Sequence, residues 1–566
     1  MKRSLHKLAA VAAAATLVLA GCSGGGDGGS DSGEGNGGGD VPVPALSDVN
    51  PTERDQVEDG GNLRFAISQL PTQWNSLHTA GNQVDNNTID GFVMPVNWIY
   101  AEDGEFTPNE NYVVDYEVQD GPPQVVTITL NPNAIWTSGD PITWEDYEAT
   151  WKAANGENEE YNVASTDGFN QVESVEMGED EFQVVITYKS TYPDWSATWS
   201  GVQPKAAIET PELFDQARAE EPDNNFTAGP FKYGDLDKAQ RTITLVPNDA
   251  WWGDAPKLDS VSFRELDASA SARAFANSEI DVVDGLINSD QYQTVSGRAD
   301  AEVREAGGLQ WRHFTFNTNA GLLQQKEIRQ AIVKGLNREA IAASDLAGLP
   351  VKPEELMLGN HFFMPGQEGY QDNSGDFAYD PEAAGAQLDE LGWTLEDGAQ
   401  FRTKDGEELV VEYQLLQGIE TSENEGKLLQ SDMEKIGVKV QMVNKSPDEF
   451  PGFLMDGSFG ITAFAWQGTP YPMANVGQIY GCDSGSNFSG LCDDEISGLI
   501  EQIDVEMDHN KRIELTNQVD EVIWDRVMTV PLYRRIEYTA VPQNLANFGA
   551  FGLTNFKPED IGFVAE

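Results

Sequence analysis

The chain is predicted to be an α/β protein of two or three lobes. Three observations point there: apolar residues at every second position in many short stretches, helix-start signals between those stretches, and a body too long for one core. Val126/Ile128/Leu130, Phe182/Val184/Ile186/Tyr188, Leu409/Val411/Tyr413/Leu415 and Val438/Val440/Met442 show the period-two pattern of strands with one buried face. Thr143-Trp144-Glu145-Asp146 is a capping-box start, with a hydroxyl and an acid placed for the first free N–H groups of a helix. Asp380-Pro381-Glu382 offers an N-cap, a proline at the first helical position and an acid near the positive end of the dipole. That helix is predicted to run through Leu388 and Leu391 and stop at Gly392. Between Glu327 and Gly335, Ile328, Ala331 and Ile332 share one helical face. About 500 residues of body exceed what one hydrophobic core organises, and strands alternating with helices favour α/β over a sandwich.

The N-terminal segment is of another kind. Lys2, Arg3 and Lys7 precede an uncharged run from Leu8 to Gly21. That run is short of the about 20 apolar residues a spanning helix needs, and it fits the core of a secretory signal. Leu19-Ala20-Gly21-Cys22 resembles a bacterial lipobox, in which the signal is removed just before a thiol that takes a diacylglyceryl group. Acyl chains on Cys22 would anchor the chain at the outer face of the cell membrane without a transmembrane helix. From Ser23 to about Asp40 the chain is mostly Gly, Ser and Asp, a flexible tether, and the linker is predicted to extend over 22–57. Gly21-Cys22-Ser23-Gly24-Gly25 matches the G-x-S-x-G pattern, but no strand precedes it and no helix follows, so it is not a nucleophile elbow.

Charge narrows the partners. The formal net charge is −59, and loss of the leader leaves 32 basic against 94 acidic residues, or −62. Such a surface repels phosphate backbones, so nucleic acid is excluded as a partner. The acidity serves solubility or life in high salt. Aromatics at 10% and 13 Trp belong to packed globular structure. With Cys22 lipidated, Cys482 and Cys492 remain, ten apart in an oxidising compartment; they form a local disulfide or stay as buried thiols. His6, His78, His313, His361 and His509 are scattered singly, and no phosphate loop, HExxH or CxxC pair occurs. No cofactor, no metal and no catalytic constellation is expected.

Several stretches, in order, resemble the extracytoplasmic solute-binding proteins of the oligopeptide/dipeptide class (family 5), the capture subunits of ABC importers. They are "AIWTSGDPITWEDYEATWKA" (134–153), "TAGPFKYGD" (227–235), "ITLVPNDAWWGDAPKLDSVSFREL" (243–266), "ASARAFANSEIDV" (270–282), "FTFNTNAGLLQQKEIRQAIVKGLNREAI" (314–341), "YDPEAAGAQLDELGW" (379–393), "LLQSDMEKIGVKVQMV" (428–443) and "VMTVPLYRR" (527–535). The resemblance implies an α/β, two-lobed periplasmic-binding-protein clamshell with an additional third domain. Domain I would take 58–90, 226–310 and 540–566, domain II 91–225 and domain III 311–539. Chain crossings near 310 and 540 would form the hinge, with solute held between domains I and III. Expected partners are a small solute, most readily an oligopeptide, and an ABC permease with its ATPase; the chain is expected to act as a monomer. The blocks also read as structure. Trp144, Tyr147 and Trp151 recur at helical spacing as core, and Arg329 pairs with a local acid or caps a carbonyl.

The resemblance places ligand contacts in "AFAWQGTPYPMANVGQIYGCDSGSNFSGLC" (463–492). Peptide-binding relatives read W-x-x-D there, and the Asp meets the peptide ammonium. Here Trp466-Gln467-Gly468-Thr469 puts a hydroxyl at that position, which accepts a hydrogen bond but cannot neutralise a cation. Candidate ligand-binding residues are Trp466, Gln467, Gly468, Thr469 and Tyr471, with Asn97 and Trp98 across from them; ordinary packing is the competing reading of each. A peptide whose amine meets another acid, a ligand without a free amine, and a non-peptide solute all fit. A surface-anchored hydrolase and a sensor or adhesin are the alternatives of another class.

Overall fold

The computed structural model describes residues 46–565 apart from 120, 287, 447, 448, 475 and 483. The leader, Cys22 and the glycine tether lie outside the described residues. The described chain divides into two compact units, one of 46–307 and 536–565, the other of 308–535. The chain therefore passes between units at Gly307/Gly308 and Arg535/Ile536.

The first unit is built on two four-stranded sheets. In one, Asn62–Ile67 runs parallel to Ser260–Glu265, which pairs antiparallel with Thr242–Pro247, and that strand in turn pairs antiparallel with Phe231–Asp237. In the other, Val113–Gln119, Val125–Leu130, Gln183–Tyr188 and Val172–Met177 are antiparallel throughout. Val126, Ile128 and Leu130 alternate inward as their period required, and so do Val184, Ile186 and Tyr188. One continuous set of buried apolar side chains runs from Leu63 and Phe65 through Trp98, Val126 and Trp199 to Phe263 and Ile561. The residues expected to form domains I and II thus share a core. The folded body also begins earlier than the predicted end of the linker at 57. Asp48 bridges to Ala550, Asn50 donates to the Leu545 carbonyl at 3.0 Å, and Arg54 pairs with Asp560 at 2.7 Å.

Local signals explain the helices. Trp144–Ala154 starts with the capping box in place: the Glu145 N–H donates to Thr143 Oγ1 at 3.3 Å and the Thr143 N–H to the Asp146 carboxylate at 3.0 Å. Pro381–Glu390 begins after Asp380, whose carboxylate accepts from the Ala383 N–H at 2.8 Å. It stops at Gly392 as expected: Leu391 is the C-cap, Gly392 takes φ +85°, and the N–H groups of Gly392 and Trp393 donate back to the carbonyls of Asp389 and Leu388 at 2.9 and 3.0 Å.

The second unit is organised by one strand, β1 (Gln310–Phe316), whose seven residues are all buried. Its sheet is completed by β2 (Val410–Leu416), β3 (Lys439–Lys445), β4 (Ile461–Gln467) and β5 (Thr529–Arg534), in spatial order β3-β2-β4-β1-β5. The β2–β3 and β2–β4 pairs are parallel, and β1 is antiparallel to both neighbours. Helices α1 (Lys326–Lys334), α2 (Arg338–Asp345), α3 (Glu420–Lys435) and α4 (His509–Arg526) accompany this sheet. Arg329 has the structural role its position suggested, donating to the carbonyls of Leu323 at 2.7 Å and of Arg526 and Val527 at 3.1 Å.

A charged group must enter this dry sheet because β1 carries Arg312. Its Nε and Nη2 grip both oxygens of Glu425 on α3, at 2.9 and 2.5 Å. On the same side the Tyr533 hydroxyl donates to Asp345 of α2 at 3.1 Å. Burial, reinforced by the Glu425 charge, pushes the Asp345 carboxyl up to about 8. Removing one partner of a buried pair leaves an uncompensated charge, whereas an apolar pair of similar size does not. Glu425→Ala is expected to destabilise the protein by about 3–5 kcal/mol in chemical denaturation, and Arg312→Met with Glu425→Leu to recover most of that loss.

In the first unit, burial and then the charge of Asp284 push the Glu537 carboxyl up to about 8. An unfolded glutamate ionises near 4.3, so native Glu537 keeps its proton longer and its contribution is lost as pH rises towards 8. Glu537→Gln should therefore raise the melting temperature more at pH 8.5 than at pH 5.5; an equal shift at both would contradict the assignment.

Candidate functional site

Strand β4 delivers the expected ligand stretch to one end of the sheet. Ile461 to Phe464 are all buried, so both faces of β4 are covered here. The chain leaves the ladder at Gly468, whose N–H donates to the Leu309 carbonyl at 2.9 Å. A Cβ at Gly468 would stand 3.1 Å from that oxygen, so the turn favours glycine. Pro470 and Pro472 follow and stop further pairing.

Trp466 is 9% exposed. Cross-strand partners share a face, so the register puts Trp466 beside Trp311 of β1, and Trp311 beside Arg534 of β5. One row, Trp466–Trp311–Arg534, thus crosses three strands at their ends. Phe464 and His313 form the next rank on the same face, with ring centroids 4.3 Å apart. Phe488 lies parallel to Trp466 at 5.9 Å, and Phe464 meets Trp466 edge-on at 5.2 Å. Phe488 comes from the loop closed by the disulfide between Cys482 and Cys492. Asn487 holds that loop in shape, donating to the carbonyls of Tyr480, Gly481 and Leu491.

The polar members of this face are unusual. Both ring nitrogens of His313 are buried without a partner among the described residues, and burial, then the Arg312 charge, holds its pKa well below the usual histidine value. The imidazole is therefore neutral at physiological pH. Arg534 is 2% exposed; its Nη1 donates to the Pro365 carbonyl at 3.0 Å, while Nε and Nη2 have no partner among the described residues.

Of the sequence-predicted residues, Gln467 and Thr469 are exposed and Gly468 and Tyr471 half-buried. Gln467 Nε2 donates to the Gly468 carbonyl at 3.4 Å. The Thr469 hydroxyl accepts from the Tyr471 N–H at 3.1 Å, so it closes a local turn. No Asp or Glu occurs between 461 and 482, so this stretch brings no carboxylate to an ammonium. Asn97 and Trp98 lie in the first unit's core, both fully buried. Asn97 donates to the Tyr147 hydroxyl at 3.0 Å and the Trp199 carbonyl at 2.8 Å, and Trp98 to the Ser196 carbonyl at 2.9 Å. Packing accounts for these contacts; only Asn97 Oδ1 is buried without a partner. The sequence reading missed Trp311, His313, Phe488 and Arg534. The alternation Trp311/His313/Thr315 was visible, but only pairing with β4 and β5 shows what it faces.

Among the described residues no group of three His, Cys, Asp or Glu side chains is placed to hold a metal ion. The face provides flat aromatic area, a neutral imidazole and a buried cation, which suits binding of an uncharged or anionic group rather than bond-breaking chemistry.

The family profile described as "Bacterial extracellular solute-binding proteins, family 5 Middle" matches residues 113–488. The oligopeptide-binding protein OppA of Mycobacterium tuberculosis (strain ATCC 25618 / H37Rv) is 36% identical over 553 residues, covering 97% of this chain and 92% of that protein. Among solved structures, the periplasmic EDTA-binding protein EppA matches with a TM-score of 0.84 at 22% identity, covering 92% of this chain and 99% of that one. The oligopeptide-binding protein AppA from Bacillus subtilis, in complex with a nonapeptide, matches with a TM-score of 0.74 at 18% identity, covering 90% and 100%. The α/β fold is therefore the one the sequence resemblance implied. On the profile match and the near full-length identity, the chain belongs to the bacterial extracellular solute-binding proteins of family 5, a family of binding proteins and not of enzymes.

Proposed function

We propose that this chain captures oligopeptides outside the cell and delivers them to an ABC permease and its ATPase, held at the membrane by lipid on Cys22. The observation that carries the reading is the near full-length identity with an oligopeptide-binding protein. The aromatic row ending in Trp466 supports it, since flat apolar walls accept side chains of many shapes. Trp466, Gln467, Gly468, Thr469 and Tyr471 are the proposed contact stretch on this unit. A soluble form starting after Cys22, purified without refolding and denatured for mass spectrometry, is expected to release a ladder of peptides.

Thr469 favours a second reading. A hydroxyl where peptide-binding relatives carry a carboxylate leaves a peptide ammonium without its counter-charge here, and burying a cation unpaired is costly. A non-peptide solute avoids that cost, and one sharp non-peptide mass in the same experiment would replace the peptide assignment.

Because Trp466 is packed between Phe464 and Phe488, truncating it to Ala would cost stability, about 3–5 kcal/mol for a buried aromatic. Trp466→Phe and Tyr471→Ala are the cleaner probes. Each is expected to weaken solute binding at least threefold in titration calorimetry while the ligand-free melting temperature moves little; unchanged affinity in both would remove the stretch from the site.

A further inference from the structure

The geometry points to Arg534 as the receptor for a carboxylate of the captured solute, an inference that deepens the capture role proposed above and rests on it. A guanidinium meets a carboxylate through two parallel N–H groups on one edge. Arg312 shows the arrangement inside this sheet, offering Nε and Nη2 to Glu425. In Arg534 the same edge, Nε and Nη2, is buried and meets no acceptor among the described residues. Only Nη1 is engaged, by the Pro365 carbonyl, while the Arg534 backbone N–H is taken by the carbonyl of Leu356.

Other buried arginines are served by the chain itself. Arg329 has three backbone carbonyls, Arg402 has Asp389 with the carbonyls of Ile436 and Trp393, and Arg304 has Glu302 with the Phe548 carbonyl. Supply is not the reason Arg534 lacks an acid, because the chain holds 94 acidic residues against 35 basic ones. Burial draws the Arg534 pKa down to about 10, so the group stays charged at physiological pH. A desolvated cation with an open bidentate edge is held in the fold at a cost that an arriving anion removes.

Its position fits a ligand role. Arg534 stands opposite Trp311, which stands opposite Trp466, so the cation ends the row that begins at the proposed contact stretch. A solute lying along this row would put apolar groups on the two indoles and a carboxylate on Arg534. The class is a carboxylate-bearing solute, the free C-terminus of a peptide being the first instance.

The test compares the soluble chain with Arg534→Gln and Arg534→Lys. The probes are a pool of hexapeptides lacking Asp and Glu with free C-termini, and the same pool amidated, with retention read by native mass spectrometry. The wild type is expected to retain the free acids at least tenfold better than the amides. Arg534→Gln should lose that preference, and Arg534→Lys should keep part of it. Equal retention of acids and amides by the wild type, or a preference surviving in Arg534→Gln, would overturn the assignment and leave ordered water as the partner of the guanidinium. If the wild type retains neither pool, the peptide reading fails, and thermal shifts with succinate and succinamide decide Arg534. A succinate-specific shift absent from Arg534→Gln supports the receptor; no such shift overturns it. If the variants do not fold, the acid-against-amide comparison in the wild type decides alone.

Discussion

The second unit depends on the burial of β1 on both faces. All seven residues of β1 are buried, so each polar residue on it needs a partner from within the protein. Arg312 finds one in Glu425 and ties the sheet to α3. His313, the next residue, points to the opposite face and finds none. One face is thereby closed by electrostatics and the other left as aromatic wall with open polar positions. That asymmetry separates the ion-paired side of the sheet from its aromatic side, the side to which recognition is assigned in the proposal above.

The chain's acidity is distributed on the same logic. Many acids serve local ends, as N-caps such as Asp380, Asp493 and Asp508, or as partners of exposed lysines. A smaller set is buried, and there the ordinary cost of desolvation raises the carboxyl pKa, as in Asp90, to about 6. In so acidic a chain the aromatic face of β1, β4 and β5 presents a cation and no carboxylate among the residues that form it.

Much of the fold was legible because its signals are local. The capping box at Thr143, the Asp380-Pro381 helix start and the period-two stretches at 126–130, 184–188 and 411–415 each state their structure within a few residues. The site was legible only in part. Trp466 could be singled out because a family motif surrounds it, while for Asn97 and Trp98 core packing was already the competing reading, and both are fully buried in the first unit. Phe488, Trp311 and Arg534 are 22, 155 and 68 positions from Trp466, and sequence carries no mark of a cross-strand register. The boundary of the folded body was misjudged for a similar reason: residues 48–54 are polar and loop-like, and their partners lie about 500 positions away.

The disulfide-closed loop has a consequence for when the protein becomes competent. Phe488 reaches Trp466 from a segment bounded by Cys482 and Cys492. Such a bond does not persist in the reducing cytosol but forms in an oxidising compartment. The covalent support of this part of the wall is therefore a step of maturation, completed at the place where solute is met. Before that step the newly made chain holds the Phe488 ring by packing alone.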